Sequence, residues 1–246
     1  MPRPDPFVPA LLVVDLQEDF CPGGSLAVPR GRETIPPINT LLSLPFALRL
    51  ATQDWHPSTH ISFASNHPSD PAPFISSTII THPEAPELSY TSTLWPVHCV
   101  QNTPGAELLP ELKKEQLHAV IKKGIDERVE MYSAFVDPFK WIHPEGKAVH
   151  ESGMEERLRE KGVTDVFVVG LAMDYCVKET ALDAMRLGFR VWVVREGTKA
   201  VGGEQGERET EEELGKQGVQ VVGIEGEEVG WVSMGRGGMR LGLKEL

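Results

Sequence analysis

Val166-Phe167-Val168-Val169-Gly170-Leu171-Ala172-Met173-Asp174-Tyr175-Cys176-Val177 changes its periodicity within one short stretch. Val166 to Val169 is continuously apolar and mostly β-branched, which reads as a strand covered on both faces and ending at Gly170. Beyond it, Asp174 reads as a helix N-cap. Val177, Ala181, Leu182 and Met185 then form one stripe at helical spacing, and Gly188 ends the helix. A strand that passes directly into a helix is the repeating unit of a parallel α/β fold.

The same pattern recurs outward in both directions. Ala10-Leu11-Leu12-Val13-Val14 reads as a strand ending at Asp15, and Phe46 to Thr52 as another ending near Asp54. His118 to Lys122 ends at Lys123-Gly124, while Val191 to Val194 and Val219 to Val222 complete a set of six. Ser152-Gly153-Met154-Glu155 has the pattern of a capping box, opening a helix that Gly162 stops. Glu207 to Lys216 reads as a charged helix. The fold expected is α/β: one doubly wound, mainly parallel six-stranded sheet with helices on both faces, over residues 1–225. Residues 66–96, rich in Pro, Ser, Thr and His, read as a long surface excursion. The Gly-rich residues 226–246 read as a C-terminal appendage.

Composition narrows the function classes. The 246 residues are 40% apolar and carry a net charge of −12. Such an acidic chain repels phosphate, so neither nucleic acid nor an anionic membrane is an expected partner. No apolar run approaches the roughly 18 residues of a membrane span. Three cysteines, Cys21, Cys99 and Cys176, cannot all pair within one chain, which fits a reducing compartment. The N-terminus reaches Asp15 before any secretory apolar segment is complete. An intracellular protein is expected, cytoplasmic or nuclear and not secreted, with its oligomeric state open.

Ligands of such sheets bind beyond the carboxyl ends of the strands. Those ends carry Asp15, the Asp54-Trp55-His56 trio, Lys123 and the turn holding Cys176. Asp15 reads either as a loop carboxylate or as an acid–base group, and Lys123 either as a solvated lysine or as a catalytic one. Cys176 at a helix start is placed for a stabilised thiolate, helped further by a nearby lysine. The alternative is a small buried residue between helix and sheet. In an extended segment Asp54 and His56, at i and i+2, face one way and can share an ion. His98, at the end of the excursion, could complete an oxygen–imidazole set for zinc, iron or manganese. His60, His67 and His82 read as surface loop residues, and Cys99 is expected to point away from His98 if the segment is extended. Phe20, Trp95, Tyr132 and Tyr175 read either as core or as walls of a flat pocket.

Taken together, these motifs resemble a known family. Val13-Val14-Asp15-Leu16-Gln17-Glu18-Asp19-Phe20, Thr52-Gln53-Asp54-Trp55-His56-Pro57, Leu94-Trp95-Pro96-Val97-His98-Cys99-Val100, Lys123-Gly124, Tyr132-Ser133-Ala134-Phe135 and Gly170 to Lys178 resemble the nicotinamidases of the isochorismatase-like cysteine hydrolases, with an excursion similar to that of fungal forms. The resemblance runs from about residue 8 to 222. It implies hydrolysis of nicotinamide to nicotinate and ammonia in NAD salvage. It implies Cys176 as nucleophile, Asp15 as base then acid, and Lys123 as the third catalytic residue. Asp54, His56 and His98 would hold one divalent ion, usually zinc, that orients the substrate ring. Phe20, Trp95, Tyr132 and Tyr175 match ring-pocket positions. The amides of Ala172 and Cys176 match an oxyanion hole beside a cis peptide at Leu171–Ala172. Other readings are an amidase for another carboxamide such as pyrazinamide, or a catalytically idle ligand-binding member. Met173 and Glu179 depart from the family's pattern.

Overall fold

The computed structural model describes residues 2–69, 71–142 and 146–234. In chain order the strands are β1 (Pro9–Val14), β2 (Leu48–Asp54), β3 (Ser77–His82), β4 (Ala85–Thr93), β5 (Ala119–Lys123), β6 (Asp165–Leu171), β7 (Arg190–Lys199) and β8 (Gln220–Val222). The α-helices are α1 (Ile35–Leu42), α2 (Phe139–Ile142), α3 (Met154–Glu160), α4 (Lys178–Arg186), α5 (Gly203–Gln217) and α6 (Glu227–Ser233).

Six strands form one sheet in the order β5-β2-β1-β6-β7-β8, and every neighbouring pair is parallel. The chain winds outward from β1 to β2 and β5, then returns to lay β6 beside β1. The winding reverses between β1 and β6, and at such a switch point a crevice opens beyond the strands' carboxyl ends. Asp15 follows β1 and Cys176 follows β6, so the topology brings both to that crevice.

Each central strand is buried along its whole length because both faces are covered. Leu11, Val13, Phe167, Val169 and Trp192 pack with residues of α1 and α6 on one side. Ala10, Leu12, Val14, Val166, Val168 and Val193 pack with α3, α4 and α5 on the other. Successive strand residues point to opposite faces, so two covered faces demand unbroken apolar runs. Truncating one of these side chains, Leu11→Ala for instance, would cost about 2–5 kcal/mol.

The structure departs from the sequence reading in several places. A wide π-type turn, Met173–Val177, comes between β6 and α4. Asp174 does not cap that helix. Its carboxylate accepts the amides of Val201 and Gly202, both at 2.9 Å, at the entry to α5. The expected capping box does not form: Gly153, left-handed at φ 75°, is the N-cap, Ser152 Oγ accepts the Met154 amide at 3.1 Å, and Glu155 pairs with Arg159, also at 3.1 Å. The segment Glu227–Ser233, expected in an appendage, is helical, and Trp231 meets Trp192 edge-on at 6.2 Å. The rest of that stretch, 235–246, lies outside the described residues.

The surface excursion contains an antiparallel hairpin, β3 with β4, turning at Pro83-Glu84. Its Ser and Thr content reads as loop, yet the β-branched run Thr78-Ile79-Ile80-Thr81 suits a strand, and Ile80 and His82 form its buried face. Ile80 points inward onto Phe139 and Val129, and Ile79 faces solvent. His82 is buried rather than on the surface: its Nδ1 accepts the amides of Glu84 and Ala85, both at 3.1 Å, and closes the turn. Among the described residues no helix is long and apolar enough to cross a membrane.

Candidate active site

Asp54 and Lys123 are register partners at the ends of β2 and β5, so their side chains stand side by side. Lys123 is fully buried. Its Nζ binds Asp54 Oδ1, lies 2.9 Å from Asp15 Oδ2, donates to the Met131 carbonyl at 3.0 Å and stands 3.6 Å from Cys176 Sγ. Burial alone would push this ammonium down. The two carboxylates outweigh burial and hold it well above its ordinary range. Lys123 is therefore a fixed positive charge.

Asp15 sits just past β1 with a left-handed φ of 45°. Its Oδ1 accepts from Thr52 Oγ1 at 2.7 Å, and the same hydroxyl receives the Asp15 amide at 3.1 Å. Burial pushes Asp15 up to about 6, against the pull of Lys123 and with help from Asp54. Asp54 goes the other way: burial opposes ionisation, but Lys123 and His56 overcome it. Two neighbouring carboxylates thus divide into a basic one and a permanently ionised one.

The thiolate expected at Cys176 is not the resting form. Burial pushes the thiol well above its ordinary value; Lys123 pulls it down, and Asp15 and Asp54 push it up again. A helix start favours a thiolate only while burial and adjacent carboxylates do not outweigh it. Cys176 therefore waits as a thiol, with a carboxylate oxygen of Asp15 within 4.8 Å of its sulfur.

Asp54, His56 and His98 converge, each offering a ligand atom within 4.8 Å of the others. His56 Nδ1 donates to the Gly124 carbonyl at 2.8 Å, and His98 Nδ1 to the Pro96 carbonyl at 2.8 Å. Each bond fixes the tautomer and leaves Nε2 with its lone pair free, the usual outer arrangement of a metal-binding histidine. His56 Nε2 is buried, has no hydrogen-bond partner and lies 3.5 Å from Asp54 Oδ2. Burial opposes a proton on His56, yet Asp54 outweighs it and raises the group; a cation would take that proton's place. Burial and repulsion from His56 lower His98 to about 4, keeping it neutral. This donor set fits a divalent ion. Gly124 admits the arrangement: its φ is +63°, and a Cβ there would sit 2.4 Å from His56 Cε1.

A pocket opens on this cluster. Cys176, Ala172, Asp54 and His98 line it, and Phe20, Trp95, Tyr132 and Tyr175 supply flat apolar surface. Trp95 meets Tyr175 edge-on at 4.7 Å and donates from Nε1 to Tyr132 Oη at 2.9 Å, which locks the aromatic walls. The Leu171–Ala172 peptide is cis, as the resemblance implies. Asp15, Lys123 and His56 are fully buried behind the lining. The lining thus brings the Cys176 sulfur together with Asp54 and His98, two of the three candidate metal ligands.

The residues expected to be catalytic, metal-ligating or pocket-lining are brought together here. Several others were not foreseen. Glu130, buried and lining the pocket, precedes Tyr132 with nothing in its spacing to mark it. Leu26 and Val201 also line the pocket. His60, read as a surface residue, is buried and stacks on His56 at 4.0 Å. Both its nitrogens are engaged, with Ser62 Oγ at 2.8 Å and the Val129 carbonyl at 3.1 Å. Cys99 is left-handed at φ 45° rather than extended, and its sulfur stands 3.9 Å from the Gly105 carbonyl. Glu179 lies near Lys178 Nζ at 3.9 Å, outside the pocket lining.

The chain is similar to known proteins. An isochorismatase domain family model matches residues 9–225. The nicotinamidase of Escherichia coli K12 is 41% identical over 196 residues, spanning 78% of this chain and 83% of that protein. The crystal structure of yeast nicotinamidase bound to the inhibitor nicotinaldehyde superposes with a TM-score of 0.79 at 34% identity, covering 87% of this chain and 99% of that one. The pyrazinamidase of Pyrococcus horikoshii in complex with zinc superposes with a TM-score of 0.65, also at 34% identity, over 88% and 99% of the two chains.

Proposed function

The chain belongs to the isochorismatase domain family, and from that premise we propose that it is a nicotinamidase, converting nicotinamide to nicotinate and ammonia in NAD salvage. The observation that carries this reading is one pocket whose wall holds both Cys176 and the Asp54–His98 edge, between aromatic faces. A flat ring with a carboxamide at one side and a lone pair at the other suits that wall. Zinc is the ion we assign to Asp54, His56 and His98, on the donor chemistry and on the zinc-bound relative. Three unpaired cysteines support an intracellular setting.

The chemistry follows from the charges. Lys123, Asp15 and Asp54 carry one positive and two negative charges when ionised. A thiolate added to them would be a third buried negative charge. Passing the Cys176 proton to Asp15 as the sulfur attacks the carboxamide carbon keeps the total constant. Burial prepares Asp15 for this by raising it to about 6, so it is ionised at neutral pH yet basic enough to accept a proton. Asp15 then returns the proton to the departing nitrogen, ammonia leaves, and a thioester remains on Cys176. Asp15 next takes a proton from water attacking the thioester carbon. Carbon–sulfur cleavage frees nicotinic acid, which ionises to nicotinate in water, and the Asp15 proton returns to the sulfur. Lys123 stabilises the sulfur and the carboxylate throughout. We assign the amides of Ala172 and Cys176 to the developing oxyanion. A divalent ion, when bound, supplies a Lewis-acid anchor for the ring nitrogen.

The test is ammonia release from a panel of nicotinamide, pyrazinamide and benzamide. Nicotinamide should turn over fastest, and benzamide, without a ring nitrogen, should be much poorer. Preference for pyrazinamide would reassign the substrate, and equal turnover of benzamide would remove the ring anchor.

A further inference from the structure

Gln17 and Asp19 follow Asp15 at i+2 and i+4, line no part of the pocket, and belong to no proposed ligand set. Both are nevertheless tied to the metal-ligating segments. Gln17 is fully buried, and three of the four hydrogen-bonding positions of its amide are used. Its Nε2 donates to the Asp54 carbonyl and to the Ala106 carbonyl, both at 2.8 Å, and its Oε1 accepts the Asp54 amide at 2.8 Å. The side chain thus pairs with the Asp54 backbone as a neighbouring strand would, just where β1 has ended.

Asp19 holds the other ligand segment. Its Oδ2 accepts the Cys99 amide at 2.7 Å, and its Oδ1 the Ser25 amide at 3.4 Å. Cys99 follows His98 in a left-handed conformation, φ 45°, and its carbonyl accepts the His56 amide at 3.0 Å. One residue therefore connects Asp19 to the backbones of both histidine ligands. Gly105 makes room: a Cβ there would fall 2.1–2.4 Å from the Asp19 carboxylate. Asp19 also adjoins Phe20, whose ring lies 5.5 Å from that of His98.

We propose that Gln17 and Asp19 are positioning residues: the loop leaving β1 sets Asp54, His56 and His98 in register with Asp15. This rests on the reading of those residues as metal ligands and base. Asp54 is shared by the metal cluster and Lys123, so a loop that carries Asp15 and grips Asp54 fixes the distance between the base and the metal site. The arrangement acts through backbone groups and places neither side chain on the substrate. Outer partners of this kind typically change metal affinity by about 10–100-fold when removed.

The test uses zinc-loaded full-length protein and reads zinc transfer to a colorimetric chelator, with thermal unfolding measured in the presence and absence of zinc. Asp19→Ala and Gln17→Glu should release zinc about tenfold faster or more, and the zinc-dependent rise in Tm should shrink. Asp19→Asn keeps an acceptor for the Cys99 amide and should restore release to within about threefold of the parent protein. If Gln17→Glu does not fold, the Asp19 pair still decides the matter. Unchanged zinc release, with Tm lowered equally in the zinc-free and zinc-loaded forms, would mean that the loop is merely structural and would overturn the proposal. A parent protein that binds no zinc would overturn the metal assignment itself, and the proposal with it.

Discussion

The Asp54 carboxylate serves two partners at once: Oδ1 binds the Lys123 ammonium, and Oδ2 turns to His56, with Nε2 3.5 Å away. Asp15 touches only the first of these, with its Oδ2 2.9 Å from the same ammonium. Two carboxylates of like chemistry are thereby given different tasks by their neighbours.

That division predicts separable losses. Asp15→Asn keeps the shape and the contact with Thr52 but cannot accept the Cys176 proton. It should retain its metal and lose about a hundredfold or more in turnover. Asp54→Asn should lose the metal as well as activity. Elemental analysis of the two purified variants checks this; metal lost from Asp15→Asn and kept by Asp54→Asn would show the roles reversed.

The pH dependence follows from Asp15. Burial raises its folded value to about 6, so protonation removes the base below that pH and leaves it intact above. The kcat/KM of the parent enzyme should be level near neutrality and fall with acid through about pH 6, approaching tenfold per pH unit. Rates measured between pH 5 and pH 8 check this, and a flat profile to pH 5 would remove Asp15 as the base.

Gly124 should tolerate no side chain. A Cβ at φ +63° would press on the His56 ring at 2.4 Å. Gly124→Ala should destabilise the fold by about 1–3 kcal/mol from the backbone alone. It should also shed the metal, as His56 is driven from Asp54. Denaturant unfolding and metal analysis measure the two effects, and a fully loaded variant of parental stability would contradict this geometry.

The sheet was readable because strand segments buried on both faces must be continuously apolar, as are Ala10–Val14 of β1, Val166–Val169 of β6 and Val191–Val194 of β7. The hairpin was not, since β3 and β4 bury one short face and are otherwise written in Ser, Thr and Pro. The Asp54–His56 pair is a local i, i+2 signal, and Lys123 marks the end of a strand. His60 and Glu130 have no such local mark: the fold carries them in from loops, and only three-dimensional proximity to His56 identifies them. The charge state of Cys176 was also beyond sequence. It depends on how burial and the charges of Lys123, Asp15 and Asp54 balance, and those neighbours come from other strands.

The central claim is that Cys176 attacks a carboxamide in this pocket. Ammonia release from nicotinamide by the zinc-loaded parent and by Cys176→Ala, at equal protein concentration, tests it most directly. The parent should release ammonia steadily. Cys176→Ala, loaded with the same metal, should fall by far more than a hundredfold, as removal of a nucleophile does. No release by the parent, or release by Cys176→Ala above about a hundredth of the parental rate, would contradict the account.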